Sequence, residues 1–250
     1  MKAVILAAGK GTRMRELTQS IPKPMLLVQG KPILQHIIEG LAQNGIKEFC
    51  IVTGYQAEKI EEHFGDGSRW NLGINYVRQV VQDGTGKAPE LAKEFVGKDS
   101  FLLTYGDILV KKPETYAEML ARFAQEHFSG LITVTPGEDV TKGGINFFDE
   151  QFCLLKIVEK PSAAQVEQYR AEGLIKAGQP VWYNAGIYIF RPDLFTFTQK
   201  LQKSPRGEYE LPDAINAMLE QKHRIAGLEI IRGRCVDVRD PEVLASLERE

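Results

Sequence analysis

An apolar run, Lys2 to Ala8, opens the chain and breaks abruptly into Gly9-Lys10-Gly11-Thr12-Arg13. Small aliphatic residues without polar alternation cannot build a strand with one wet face. KAVILA is therefore expected to be buried on both sides, as strands are in parallel sheets covered by helices. Such a strand delivers its loop to the carboxyl edge of the sheet, where ligands collect in open α/β folds. Two glycines there let backbone N–H groups close on an anion, because no Cβ stands in the way. Arg13 adds a planar cation that can grip phosphate at two points. Taken alone, the stretch also fits a tight turn with a surface arginine.

The next residues repeat a strand–helix rhythm. PILQHIIEGLAQNG places Ile33, Ile37 and Leu41 on one helical face, with a proline at its start and Asn44-Gly45 at its end. Phe49 to Thr53, Ile74 to Val77 and Phe101 to Thr104 read as strands, Gly65 to Ser68 as a turn, and Gly86 to Phe95 as a helix. Further on, Leu131 to Thr135, Leu154 to Glu159 and Trp182 to Phe190 read as strands. Helices are expected over Pro113 to Glu126, Ala163 to Gly173, Leu211 to Gln221 and Pro241 to Leu247, the last capped by Asp240 with Glu242 in its first turn. The fold class is α/β: a Rossmann-like, mixed but mostly parallel central sheet with helices on both faces. Its two halves are expected to share one sheet and to face each other across a cleft.

Charge narrows the partners. With 31 Lys and Arg against 33 Asp and Glu, the net charge of −2 gives no electrostatic reason to bind nucleic acid or an anionic membrane. Cys50, Cys153 and Cys235 are far apart and odd in number, which suits a reducing cytoplasm better than a disulfide framework. The four histidines are scattered, so no His/Cys metal cluster is expected. No apolar run approaches the roughly 20 residues that span a bilayer, and the N-terminus is a strand rather than a signal peptide.

The familiar phosphate motifs do not match. Walker A is absent, and Met14 stands where GxGxxG needs its last glycine. Downstream of the loop stands Ile21-Pro22-Lys23-Pro24-Met25, where two prolines restrict the backbone around Lys23. LAAGKGTRM with PKPM beyond it resembles the sugar-1-phosphate nucleotidylyltransferases, and the resemblance runs along nearly the whole chain with its motifs in order. It implies an enzyme that joins a nucleoside triphosphate to a sugar 1-phosphate and releases pyrophosphate, with Mg²⁺ as cofactor. One domain over 1–250 is expected, with a nucleotide-binding half over about 1–110 and a sugar-binding half over about 111–250.

The resemblance also assigns residues. Leu6, Ala8, Gly9, Gly11 and Thr12 fall in the nucleotide-binding loop, with Arg13 on the leaving pyrophosphate and Lys23 on the phosphates near the reacting centre. VRQVVQDGTGKA is similar to the base-recognition segment, which implicates Gln79, Gln82, Gly84 and Thr85. An amide offers the donor and acceptor that the edge of uracil or thymine requires, so UTP is favoured and dTTP stays open. FLLTYGDIL supplies Asp107 as a catalytic metal ligand. CVDVRDPEVL supplies Asp237 as the second, although Cys235 stands where the family often has Trp. Gly144 in GGIN, Glu159 and Lys160 in IVEKP, and Asn184 in YNAGIYIF fall on the sugar-phosphate side. GEYELPDAI also matches and reads as support. Asp107 and Asp237 are 237 − 107 = 130 positions apart, so only folding could unite them.

Three other readings remain open. A nucleotide-sugar-dependent glycosyltransferase shares the sheet and the metal but normally carries a D-x-D motif, which is absent here. A binding protein with a decayed site would not be expected to keep Arg13, Lys23, Asp107 and Asp237. A cytidylyl- or guanylyltransferase acting on another phosphorylated substrate differs in the base it accepts. No hexapeptide repeats occur, so no C-terminal β-helix is expected. Family members often associate, which leaves a homo-oligomer open.

Overall fold

A computed structural model describes residues 1–137, 143–176 and 178–249. Its elements run β1 (Lys2–Ala7), β2 (Leu27–Val28), β3 (Lys31–Pro32), α1 (Ile33–Gln43), β4 (Glu48–Thr53), α2 (Ala57–Phe64), β5 (Gly73–Arg78), α3 (Lys93–Val96), β6 (Phe101–Tyr105) and β7 (Ile108–Val110). The chain continues through α4 (Glu114–Gln125), β8 (Gly130–Gly137), β9 (Ile145–Phe148), β10 (Leu154–Val158), α5 (Ala163–Ala171) and β11 (Val181–Phe190). It ends with α6 (Leu194–Thr198), α7 (Leu211–Glu220), β12 (Ile225–Glu229), β13 (Cys235–Asp237) and α8 (Pro241–Leu247).

The first strand lies at the middle of the main sheet, whose order is β10-β9-β11-β6-β1-β4-β5, with β8 on the other flank of β11 and β12 beyond it. Its two faces feed two cores. Ala3, Ile5 and Ala7 join one with Ile33, Ile37 and Leu41 of α1, and Val4 joins the other with Leu211 and Ile215 of α7. That division explains the unbroken apolar run. The neighbours β6, β1, β4 and β5 are all parallel, whereas β11 runs antiparallel to β6, β8 and β9, and β8 and β12 pair in parallel. The parallel pattern thus holds through the first half and becomes mixed in the second.

Local signals set most boundaries. Pro32 precedes α1, and Asn44 closes it by donating from its side chain to Gly40 O at 2.8 Å. Asp240 caps α8 by accepting from the Val243 N–H at 2.9 Å, and Glu242 lies in the first turn. The helix expected over Gly86 to Phe95 is broken in the structure: Ala88–Ala92 is a 3-10 turn and only Lys93–Val96 is α-helical. Pro89 near its start and the pairing of the Gly86 N–H with Tyr209 O at 2.8 Å hold the preceding loop out of a regular helix.

One irregularity opens the cleft. Along β11, the pairing register slips between Asn184 and Tyr188, around Gly186 at φ +80°. A Cβ at Gly186 would come within 3.0 Å of the Tyr105 ring, so glycine is required by both conformation and space. Past the slip, β11 pairs with β6; before it, β11 pairs with β9. The sheet therefore splits beside the carboxyl end of β6, where Gly106 and Asp107 come next.

Candidate active site

The glycine-rich loop folds as its composition demands. Gly11 adopts φ +62°, and a Cβ there would lie 2.9 Å from Lys23 Cβ. The Met14 N–H donates to Gly11 O at 2.8 Å, and the Thr18 hydroxyl donates to the same oxygen at 3.1 Å. Thr12–Thr18 is a pair of 3-10 turns joined across a kink at Arg15, where φ is +54°, and the first amides have no partner within the turn. Met14 is fully buried and anchors the loop, while Arg13 is exposed. These features make the loop able to receive an anion.

Leu6, Ala8, Gly9, Gly11, Thr12, Arg13, Lys23, Gln79, Gln82, Gly84, Thr85 and Asp107 all line one cavity of about 320 Å³. The QDGTG loop forms its far wall. The Gln82 amide donates to Ala8 O at 2.7 Å and ties this loop to the glycine-rich one. Gln79 is buried and turns its amide toward Gly84 O, 3.5 Å away. GEYEL supports this wall from behind: the Tyr209 N–H donates to Asp83 O at 2.8 Å. A Cβ at Gly84, where φ is +122°, would lie 2.2 Å from Tyr209 O, so only glycine allows this close approach.

Gly144, Glu159, Lys160, Asn184 and Asp237 line a second cavity, of about 750 Å³. The Asn184 side chain is held at both ends: its amide donates to the Tyr188 hydroxyl at 2.6 Å, and its carbonyl accepts from the Gly186 N–H at 3.0 Å. Glu159 lies 3.9 Å from Lys160 and 3.7 Å from Arg206. Burial raises the Glu159 carboxyl above its ordinary range, although Lys160 and Arg206 oppose the rise. The ion pair between Glu159 and Lys160 is a mouth feature, since the Lys160 side chain is 58% exposed.

The two cavities share Arg13, Thr85, Tyr105, Asp107, Glu208 and Arg239, so they are compartments of one crevice joined at a neck. Asp107 and Asp237 meet there. The short strands β7 and β13 pair antiparallel with Asp237 opposite Ile108, and the Val238 N–H donates to Asp107 O at 3.0 Å. Lys23 closes the group. Its ammonium forms an ion pair with Asp107 Oδ2 and lies 3.9 Å from Asp237 Oδ1, with only 8% of its side chain exposed. Desolvation in the crevice, and next the charge of Asp107, raise the Asp237 carboxyl above its ordinary range; Lys23, Arg13 and Arg239 pull it back. One ammonium between two repelling carboxylates leaves a demand for more positive charge. Hard oxygen donors in that number fit Mg²⁺, which keeps several waters and usually takes only one or two protein carboxylates plus substrate phosphates.

Sequence reasoning missed several residues of this crevice. Tyr105 ends β6, lines both compartments and packs edge-on against Tyr188, with ring centroids 6.3 Å apart. Burial pushes its phenol up to about 12. Arg206 donates to the buried Glu210 at 2.7 Å. Glu208 and Arg239 lie at the neck. Arg206 directly precedes the GEYEL motif, Glu208 is its second residue, and Arg239 comes two positions after Asp237; proximity to those motifs was the one available signal.

Known proteins resemble this chain. Among curated relatives, the low-salt glycan biosynthesis nucleotidyltransferase Agl11 of Haloferax volcanii is 32% identical over 97% of this chain and 63% of its own length. The bifunctional protein GlmU of Methanococcus maripaludis is 32% identical over 96% of this chain and 52% of its own. This chain thus spans between half and two-thirds of those relatives. The UTP–glucose-1-phosphate uridylyltransferase AglF of Haloferax volcanii is 30% identical over 97% of this chain and 93% of its own. A crystal structure described as a glucose-1-phosphate thymidylyltransferase from Bacillus anthracis superposes with a TM-score of 0.81 at 24% identity, covering 100% of this chain and 94% of that one. A UDP-glucose pyrophosphorylase bound to UDP-glucose gives 0.82 at 21%, covering 99% and 97%. At those identities the two structures speak for the fold. The nucleotidyl transferase family profile matches residues 2–231, which include Arg13, Lys23 and Asp107 and stop short of Asp237. The chain belongs to the nucleotidyl transferase family.

Proposed function

We propose that this protein transfers a nucleotidyl group from UTP or dTTP to a sugar 1-phosphate, giving an NDP-sugar and pyrophosphate. The observation that carries this reading is the meeting of Asp107 and Asp237 at the neck between two compartments, one walled by the glycine-rich loop. A reaction between two phosphorylated substrates needs two pockets with a shared, charge-compensated junction. The uridylyltransferase AglF, matched over nearly its full length, supports the same chemistry. The residues up to about 110 would serve the nucleotide and the remainder the sugar phosphate.

A phosphate oxygen of the sugar 1-phosphate attacks the α-phosphorus of the nucleotide. The bond from that phosphorus to the bridging oxygen breaks, and pyrophosphate leaves with the electron pair. A phosphate dianion is already nucleophilic near neutral pH, so no general base is required. The protein's task is positioning and charge compensation. Arg13 grips the departing pyrophosphate, and Lys23 stabilises charge near the reacting phosphorus. Lys160 holds the incoming phosphate, while Glu159, Asn184 and the Gly144 backbone receive the sugar. Gln79 offers its amide to the pyrimidine edge, with Leu6, Ala8, Gln82, Gly84 and Thr85 around the base and ribose. Asp107 and Asp237 would hold Mg²⁺, which when bound screens the phosphate charges as a Lewis acid. Three free cysteines, two of them buried, suit a reducing cytoplasm, and among the described residues no helix is long and apolar enough to cross a membrane.

A grid of nucleoside triphosphates against sugar 1-phosphates, scored by pyrophosphate release, tests this reading. Release should require both substrates, and UTP or dTTP should outpace ATP, CTP and GTP. Hydrolysis or glycosyl transfer from an NDP-sugar, without pyrophosphate exchange, would place the protein in another class.

A further inference from the structure

Arg239 has no role in the proposed reaction, on which the inference about it rests, yet it occupies a critical place. It lines both compartments, and among the described residues Arg13 is the other cation that does the same. Lys23, the cation beside them, is already engaged by Asp107 and faces Asp237. Arg13 and Arg239 are therefore the guanidinium groups available where phosphates of both substrates must meet.

The backbone around Arg239 is fixed from both sides. Its N–H closes a tight turn on Asp237 O at 2.8 Å. The next residue, Asp240, is committed to capping α8 through the Val243 N–H. Val238, just before, is fully buried and donates to Asp107 O at 3.0 Å. The side chain remains half-exposed, 52%, with Nε 3.4 Å from Asp240 Oδ2. That contact uses one edge of the guanidinium, and the planar group carries further N–H donors on its other edges. A fixed Cα, a free donor edge and a position at the neck are what a preorganised phosphate contact requires.

We infer that Arg239 binds phosphate oxygens at the neck, acting with Arg13 as the second guanidinium of the phosphate track. A surface arginine that merely pairs with Asp240 would not affect ligand affinity. The two roles separate in a calorimetric titration with Mg²⁺ present, using UTP, inorganic tripolyphosphate and uridine as probes against wild type, Arg239→Gln and Arg239→Lys. The glutamine variant should bind UTP and tripolyphosphate at least about tenfold more weakly, the loss expected for a charge-assisted contact. Uridine affinity and melting temperature should stay unchanged, and lysine should recover part of the loss, because it restores charge without the planar fork. Wild-type affinity for tripolyphosphate in Arg239→Gln, or an equal loss for uridine, overturns the inference and leaves the proposed reaction standing. Failure of the wild type to bind either UTP or tripolyphosphate overturns both.

Discussion

Changing Asp107 to asparagine lowers pyrophosphate release by roughly 100- to 1000-fold, the usual loss when one preorganised electrostatic contact at a reacting centre is removed. The side chain keeps its shape, so the sheet and its short β7–β13 ribbon persist. Asp237→Asn has a similar effect on turnover, and the double variant should fall well short of the product of the two losses, because both carboxylates serve one function. Stability separates the two activity losses from unfolding. The Asp237 carboxyl titrates above its ordinary value of 3.8 in the folded protein, through desolvation and then repulsion by Asp107. A raised carboxylate favours the fold at low pH, and that advantage disappears as pH climbs through the raised value. Asparagine has no such loss. Asp237→Asn without nucleotide or metal should therefore melt higher than wild type at pH 7 to 8 and equal to it near pH 3. The side chain is 47% exposed, so solvent screening limits the gain to about 1 kcal/mol, or about 2–4 °C for a chain of this size. Turnover measured beside a thermal melt checks both halves: an active variant, or one that melts far lower at neutral pH, contradicts this account of the neck.

Lys23→Met carries the second large effect. Lys23 is the buried cation between the two carboxylates at the neck. Turnover should fall by roughly 100- to 1000-fold. Stability should move opposite to that of Asp237→Asn. Without the ammonium, Asp107 and Asp237 repel each other with less compensation, so the Asp237 carboxyl titrates higher still. The variant's melting temperature should lag behind wild type most at pH 7 to 8, and the gap should narrow as acid protonates Asp237. Thermal melts between pH 4 and 8 test this directly. A deficit that does not vary with pH means that Lys23 acts through packing of its aliphatic stem, which touches Gly11, rather than through its charge.

How much of this the sequence revealed depends on the range of each interaction. The first strand and its loop were legible because their signals are local: an unbroken apolar run, glycines at a turn, and an arginine just after them. The face of α1 and the cap of α8 were legible for the same reason. The ribbon that unites Asp107 with Asp237 was not. Each of its strands has three residues, too few for any period to register, and its pairing links segments 130 positions apart, from 107 to 237. Asp237 came from resemblance to a family pattern rather than from spacing. The antiparallel insertion of β11 beside β6 was equally silent, because an apolar strand reads alike in either direction. Arg206, Glu208 and Arg239 escaped notice because charged loop residues resemble an ordinary solvated surface until folding sets them at the rim of the crevice. Tyr188 falls within the strand read over Trp182 to Phe190 and is fully buried; the pattern could not convey that its hydroxyl accepts from the Asn184 amide on the sugar side.

The claim on which the rest depends is that Asp107 and Asp237 jointly hold one divalent cation at the junction of the two compartments. Crystals grown with Mn²⁺, UTP and an unreactive sugar phosphonate would locate that ion by its anomalous scattering. The account predicts one peak within coordination distance of a carboxylate oxygen from each aspartate and of the nucleotide phosphates. A peak that touches neither aspartate, with nucleotide present in the crevice, would contradict it.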